Sequence, residues 1–228
     1  MRALRFGPPA LLFGAGLILA AGASPRVDPD DGGWISLFNG RDLGGWETSL
    51  GTPVGGDRPI GVNRDPKGVF QVVDVDGAPA IRISGDGLGA LTTLADYGDY
   101  HLEVEFKWGE ERFPPRANEP RDSGVLYHGA GGYNPGTGWL ESSEFGMLEG
   151  GETGDFWSVP GLHGMRVTVD MEGEDIPHDQ RRYPQQAVRW RNGGKKYVGL
   201  TDGLLNGDDN EKPRGAWNKL DLICLGGT

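Results

Sequence analysis

The sequence predicts an all-β sandwich, and three observations carry that prediction. Glycine and proline are abundant, 41 and 16 of 228 residues, which penalises helix interiors throughout. The chain is nevertheless 36% hydrophobic, with seven tryptophans spread from Trp34 to Trp217, so it has the material for a packed core. His101-Leu-Glu-Val-Glu-Phe-Lys-Trp108 alternates strictly, placing Leu102, Val104, Phe106 and Trp108 on one face and His101, Glu103, Glu105 and Lys107 on the other. That period of two marks a strand with one buried face and one solvated or cleft-lining face.

The remaining elements follow from similar signals. Residues 24–33 are polar and read as a linker, so a single sandwich-sized domain spans 34–228. Trp34 to Phe38 is a strand candidate ending at the turn Asn39-Gly40, and Gly44 to Asp65 reads as a long loop. Val69 to Val75 and Ala80 to Ser84 form a hairpin about Asp76-Gly77. Gly109 to Arg121, with three prolines, is a loop, followed by a strand from Ser123 to His128 and a Gly-rich loop from Gly129 to Gly138. Trp139 to Glu149 and Met165 to Val169 are strands, and Glu172 to Gln186 is a charged insertion. Ala187 to Trp190 and Lys195 to Val198 flank Arg191-Asn-Gly-Gly194 as a hairpin, and Trp217 to Leu225 is the last strand.

Charge and termini narrow the setting. The formal net charge is −11, and no basic stripe with interleaved aromatics appears, which sets aside nucleic acids and anionic membranes as partners. Arg2 and Arg5 precede an apolar stretch from Ala10 to Ala21, and Ala21-Gly-Ala23 offers a cleavage site before Ser24. This is the pattern of a secretory signal peptide over residues 1–23 and predicts a secreted or periplasmic protein, with no stable membrane insertion after cleavage. The single Cys224 permits no internal disulfide and reads as a packed strand residue.

No H-E-x-x-H, G-x-S-x-G, Walker A or paired C-x-x-C occurs. What remains is a polar constellation. Glu144 and Glu149 flank Phe-Gly-Met-Leu, His128 ends the preceding strand, Lys107 lies on the polar face before that, and Arg121-Asp122 stand at a strand start. Carboxylates, an imidazole and a cation are the parts of general acid/base chemistry on an uncharged polar substrate. Tyr133, Trp139 and Trp157 are placed to stack on sugar rings, although tryptophan in a sandwich is also common core material. Five residues apart on a regular strand, Glu144 and Glu149 would face opposite ways, and a bulge at Gly146 would bring them together. Jelly-roll glucanases carry a similar acid pair across a central Asp, where this chain has Gly146.

Several stretches together resemble the 3-keto-disaccharide hydrolase domain family: Trp34-Ile-Ser-Leu-Phe-Asn-Gly-Arg-Asp-Leu-Gly-Gly-Trp46, Phe106-Lys-Trp-Gly109, Arg121-Asp-Ser-Gly-Val-Leu-Tyr-His128, Glu144 to Gly151 running into Thr153-Gly-Asp-Phe-Trp157, and Gly215-Ala-Trp-Asn-Lys-Leu-Asp-Leu-Ile-Cys224. The resemblance implies a concanavalin A-like jelly roll, secretion and action on glycosides oxidised at C3. It also implies further strands after the Trp217-Asn run, so the chain looks truncated at its C-terminus. The family often has Gln where this chain has Gly146. A C3 ketone acidifies the C2 proton. A base can remove it, the C1 substituent can leave, and water can add, giving net hydrolysis; direct hydrolysis stays open beside this elimination. Glu149 or Glu144 is the expected base, His128 the acid or a metal ligand, and Lys107 or Arg121 the group that holds the oxyanion. Asp122, Tyr133, Trp139, Asp155 and Trp157 are the expected substrate contacts. No cofactor is specified beyond a possible divalent cation held by His128 and a carboxylate, and nothing specifies an oligomeric state. The alternative reading is a non-catalytic, lectin-like carbohydrate-binding module, since jelly rolls serve both purposes.

Overall fold

The alternating segment becomes β9 (Tyr100–Lys107). Its apolar face packs as the period demands, with Leu102, Val104 and Phe106 all buried, and Phe106 meets Trp108 edge-on at 5.7 Å. The polar face holds one exception. Glu103 is buried, because Lys219 reaches across from the neighbouring strand to within 2.6 Å of its carboxylate.

The computed structural model describes residues 33–150, 153–154, 156–159 and 211–225, with the backbone of strands at 2–5, 11–12, 167–171 and 195–199. The described residues contain fifteen strands and no helix, so the all-β class holds. No helix among them is long and apolar enough to cross a membrane.

The chain divides into two compact units. Residues 1–117, 135–138 and 212–228 form the first, and residues 118–134 and 139–211 the second. In the first unit β9 pairs antiparallel with β15 (Asn218–Cys224), in register from Asn218–Phe106 to Cys224–Tyr100. On its other edge the backbone of β1 (Arg2–Arg5) runs parallel to it and also to β3 (Trp34–Ser36), while β2 (Leu11–Leu12) pairs further along β9. The hairpin read about Asp76-Gly77 is β6 (Phe70–Val75) and β7 (Ala78–Ile83), and both turn residues have positive φ, 56° and 85°. This is the backbone demanded by a two-residue hairpin loop. Cys224 is buried, and that burial pushes its thiol up.

One loop expectation is corrected. Residues 44–65 contain β4 (Trp46–Leu50) and β5 (Gly61–Val62), and β4 pairs antiparallel with both β5 and β8 (Gly89–Thr93). Glycines at 44, 45 and 51 bracket a β-forming run, and the density of turn residues around it masked the strand. The main chain of β4 ends against the loop 135–138, where Thr52 N–H donates to the carbonyls of Pro135 and Gly136 at 3.0 and 3.1 Å.

The second unit holds a sheet in the order β10 (Asp122–Ala130), β11 (Glu141–Leu148), β12 (Phe156–Val159), all antiparallel, and a pair β13 (Val167–Met171) with β14 (Lys195–Gly199). The expected strands at 123–128, 139–149, 165–169 and 195–198 therefore appear with slightly moved ends. The charged insertion 172–186 and the strand expected at 187–190 lie outside the described residues. So does the linker apart from Gly33.

Candidate functional site

The β10–β11 ladder sets the geometry. Its register runs unbroken from Asp122–Leu148 through Gly124–Gly146 and Leu126–Glu144 to Tyr127–Ser143, and shifts only between Tyr127 and Ala130. The bulge expected at Gly146 is thus absent. The irregularity falls at His128 instead, a non-glycine residue with φ 56°, which leaves the ladder while its ring packs on Tyr127 at 5.1 Å. His128 is exposed. An unbroken register keeps the two glutamates apart: Glu144 lies within β11 and Glu149 in the turn after it.

Glu149 is fully engaged. Arg121 Nη1 donates to both its carboxylate oxygens at 2.9 and 2.8 Å, Arg121 N–H reaches one of them at 3.3 Å, and Glu149 N–H donates back to Arg121 O at 2.9 Å. Both side chains are largely buried, 9% and 17% exposed, so the pair fastens the end of the β10–β11 hairpin. The turn beyond is held from further along the chain. Glu211 accepts from Thr153 Oγ1 at 2.5 Å and from Gly150 N–H at 3.3 Å.

Glu144 stands in a different environment. Directly paired residues share a sheet face, so Leu126 on β10 and Trp157 on β12 flank Glu144 on either side. Asp122, Gly124 and Gly146 lie on that same face by the period of two. The half-buried carboxyl takes no hydrogen bond from any described residue. Burial pushes its pKa up to about 7, and the like charge of Asp122 adds to the shift. A carboxyl poised near neutrality can both take and return a proton.

The other expected residues have neighbours of their own. Tyr133 and Trp139 border the loop between β10 and β11, closed by Asn134 N–H to Trp139 O at 2.8 Å, and both are half-buried. Asp155 lies outside the described residues. Lys107 belongs to the first unit, where its ammonium sits 2.8 Å from Asp76 and 4.7 Å above the Trp217 ring. The Trp217 indole N–H also donates to Asp76 at 3.2 Å, and together the two donors hold the Asp76 carboxyl below its usual range. Among the described residues no three His, Cys, Asp or Glu side chains gather closely enough to hold a metal ion. Gly124 was not singled out in the sequence, although a glycine inside a strand is a signal of close approach.

The site is thus a half-buried carboxyl with a pKa near neutrality on a β-sheet face, flanked by Leu126 and Trp157. In comparison with protein families, residues 33–228 match the 3-keto-alpha-glucoside-1,2-lyase-like domain. The chain belongs to that family, whose members have a concanavalin-like jelly-roll fold. Comparisons with curated proteins and with solved structures gave no match.

Proposed function

We propose that the chain is an exported enzyme that cleaves the glycosidic bond of 3-keto-glycosides, with Glu144 as the base. The observation that carries this reading is the Glu144 carboxyl, half-buried, without a described hydrogen-bond partner and with its pKa at about 7. The family's description, a lyase acting between positions 1 and 2 of a 3-keto glucoside, supports the reaction class. In the proposed sequence Glu144 takes the C2 proton, and the C–H electron pair forms an enolate with the C3 ketone. The enolate then collapses, restoring the ketone and forming a C1=C2 bond as the C1–O bond breaks toward the leaving oxygen. That oxygen takes a proton from His128, and water adds across C1=C2 to give the hydrolysed sugar.

Of the two glutamates Glu144 is the better base, because Glu149 is bound to Arg121 and its charge is already answered. Arg121, whose guanidinium is held by Glu149 at the hairpin end, is assigned no step. Trp157, directly across from Glu144, is assigned as the platform for the sugar ring, with Asp122, Tyr133 and Trp139 as further contacts. Export rests on Arg2, Arg5, the apolar stretch 10–21 and Ala21-Gly-Ala23. Cell fractionation with N-terminal sequencing tests it: an exported chain starting at Ser24 supports the reading, and a chain retained in the cytoplasm with residues 1–23 intact overturns it.

The enzymatic reading is tested by incubating the folded protein with a 3-keto-disaccharide and with its unoxidised parent in deuterated water. Cleavage of the keto form alone, with deuterium at C2 of the product, is the expected result. Binding without cleavage of either sugar would replace the enzyme with a lectin-like module. Full activity in Glu144→Gln would remove Glu144 from the role of base.

A further inference from the structure

The Glu144 carboxyl does not stand away from its sheet. A Cβ placed on Gly124 would come 2.6 and 2.7 Å from Cδ and Cγ of Glu144, and closer still to Oε1. Ordinary contacts of a Cβ begin near 3.4 Å. Gly124 is paired directly with Gly146, so two adjacent positions on this face carry no side chain. The space they leave is bounded along β10 by Asp122 and Leu126, and Glu144 folds into it from its own place opposite Leu126. Gly124 has no turn to serve there, since it lies in an unbroken ladder and has no positive φ. A mid-strand glycine lowers strand stability and marks a close approach, and here the group that approaches is the carboxyl itself.

We propose that Gly124 is a positioning residue for the reaction: its missing side chain is the seat that holds the Glu144 carboxyl down on β10 beside Asp122. This rests on the proton-removing role proposed for Glu144. The seat explains two things at once. It gives a long, flexible side chain one defined place where no described residue donates a hydrogen bond to it, and it brings that carboxyl toward the like charge of Asp122. Among the described residues the charged groups around the seat are few. On β10 it is Asp122, on β12 the facing residue is the uncharged Trp157, and past the hairpin end Arg121 and Glu149 are bound to each other. The three atoms nearest a methyl group at position 124 all belong to Glu144, so among the described residues that side chain is the one it displaces.

The test is Gly124→Ala in the full chain, read in two ways. The first readout is the titration midpoint of the Glu144 carboxyl carbon by NMR, which needs no substrate. The second is kcat and KM on a 3-keto-disaccharide. The expected result is a midpoint displaced toward the ordinary carboxylate range and a loss in kcat on the order of 10²-fold, with KM little changed. In a Glu144→Gln background the same alanine is expected to cost almost nothing further. An unmoved midpoint with unchanged kcat overturns the proposal. So does an equal loss from the alanine in both backgrounds, which would make Gly124 merely structural. If Gly124→Ala fails to fold, Gly124→Ala with Glu144→Asp decides. Withdrawing the carboxyl by one methylene restores the fold if the clash is the cause, and failure to restore it counts against the seat. A displaced midpoint together with full activity of Glu144→Gln would keep the seat and defeat the base, so the two readings fail separately.

Discussion

Arg121 and Glu149 meet in three ways: the guanidinium donates to both carboxylate oxygens, the Arg121 main-chain N–H donates to one of them, and Glu149 N–H donates to the Arg121 carbonyl. The pair sits at the one place where β10 begins and β11 has just ended, with both side chains largely buried. Removing one partner leaves the other charge buried and unanswered. Arg121→Ala is expected to cost about 3–5 kcal/mol, measured by urea denaturation at neutral pH. Replacing both residues by apolar ones of similar size is expected to recover most of that loss.

Glu144 ties stability to pH with the opposite sign from an ion-paired acid. In the folded chain its carboxyl keeps a proton up to about 7, against an ordinary value of 4.5. Folding is therefore favoured below 4.5, and the advantage is lost as pH rises through 7. Glu144→Gln does not titrate. At pH 8 it is expected to be more stable than the parent by on the order of 2 kcal/mol, and at pH 4 equal to it. Thermal or urea melts at the two pH values check this.

Asp122 is expected to tune that same group. The base works deprotonated, so kcat/KM should rise with pH through the Glu144 pKa. Asp122→Asn removes the like charge and should move this rising limb to lower pH. Burial is the larger cause of the shift, so the limb is expected to move by less than half of the full displacement. A pH profile of kcat/KM measures it.

Gly51 is a steric prediction in the first unit. A Cβ there would collide with the carbonyl oxygen of Gly136 and come 2.6 Å from the carbonyl carbon of Thr137, both main-chain atoms that cannot swing aside. Gly51→Ala is expected to destabilise by about 1–3 kcal/mol, seen as a lowered denaturation midpoint. Gly98→Ala, where nothing lies within 4 Å, should change little.

How much of this was legible in the sequence depends on whether the signal was local. The alternation along β9 and the turn at Asp76-Gly77 are local, and both elements appear as read. The burial of Glu103 was not legible, because it depends on Lys219, more than a hundred residues away. The same holds for the site. Residue types picked out Glu144, Glu149, Arg121 and His128 together. Spacing alone could not show that one glutamate is answered by Arg121 and the other takes no hydrogen bond from any described residue. The bulge expected at Gly146 was a reasonable use of a strand glycine, but the backbone irregularity fell at His128. The glycine at 124 serves the Glu144 side chain beside it instead. Lys107 alternates correctly on β9, yet its partners are Asp76 and Trp217 in its own unit.

Glu211 acts as a long-range clasp within the second unit. It accepts from Thr153 and Gly150, 58 and 61 positions earlier in the chain. Gly150 follows directly on Glu149, whose carboxylate holds Arg121 at the start of β10. One carboxylate far down the chain therefore closes the turn after β11, and Glu211→Asp would withdraw that clasp while leaving the β10–β11 register to the ladder itself.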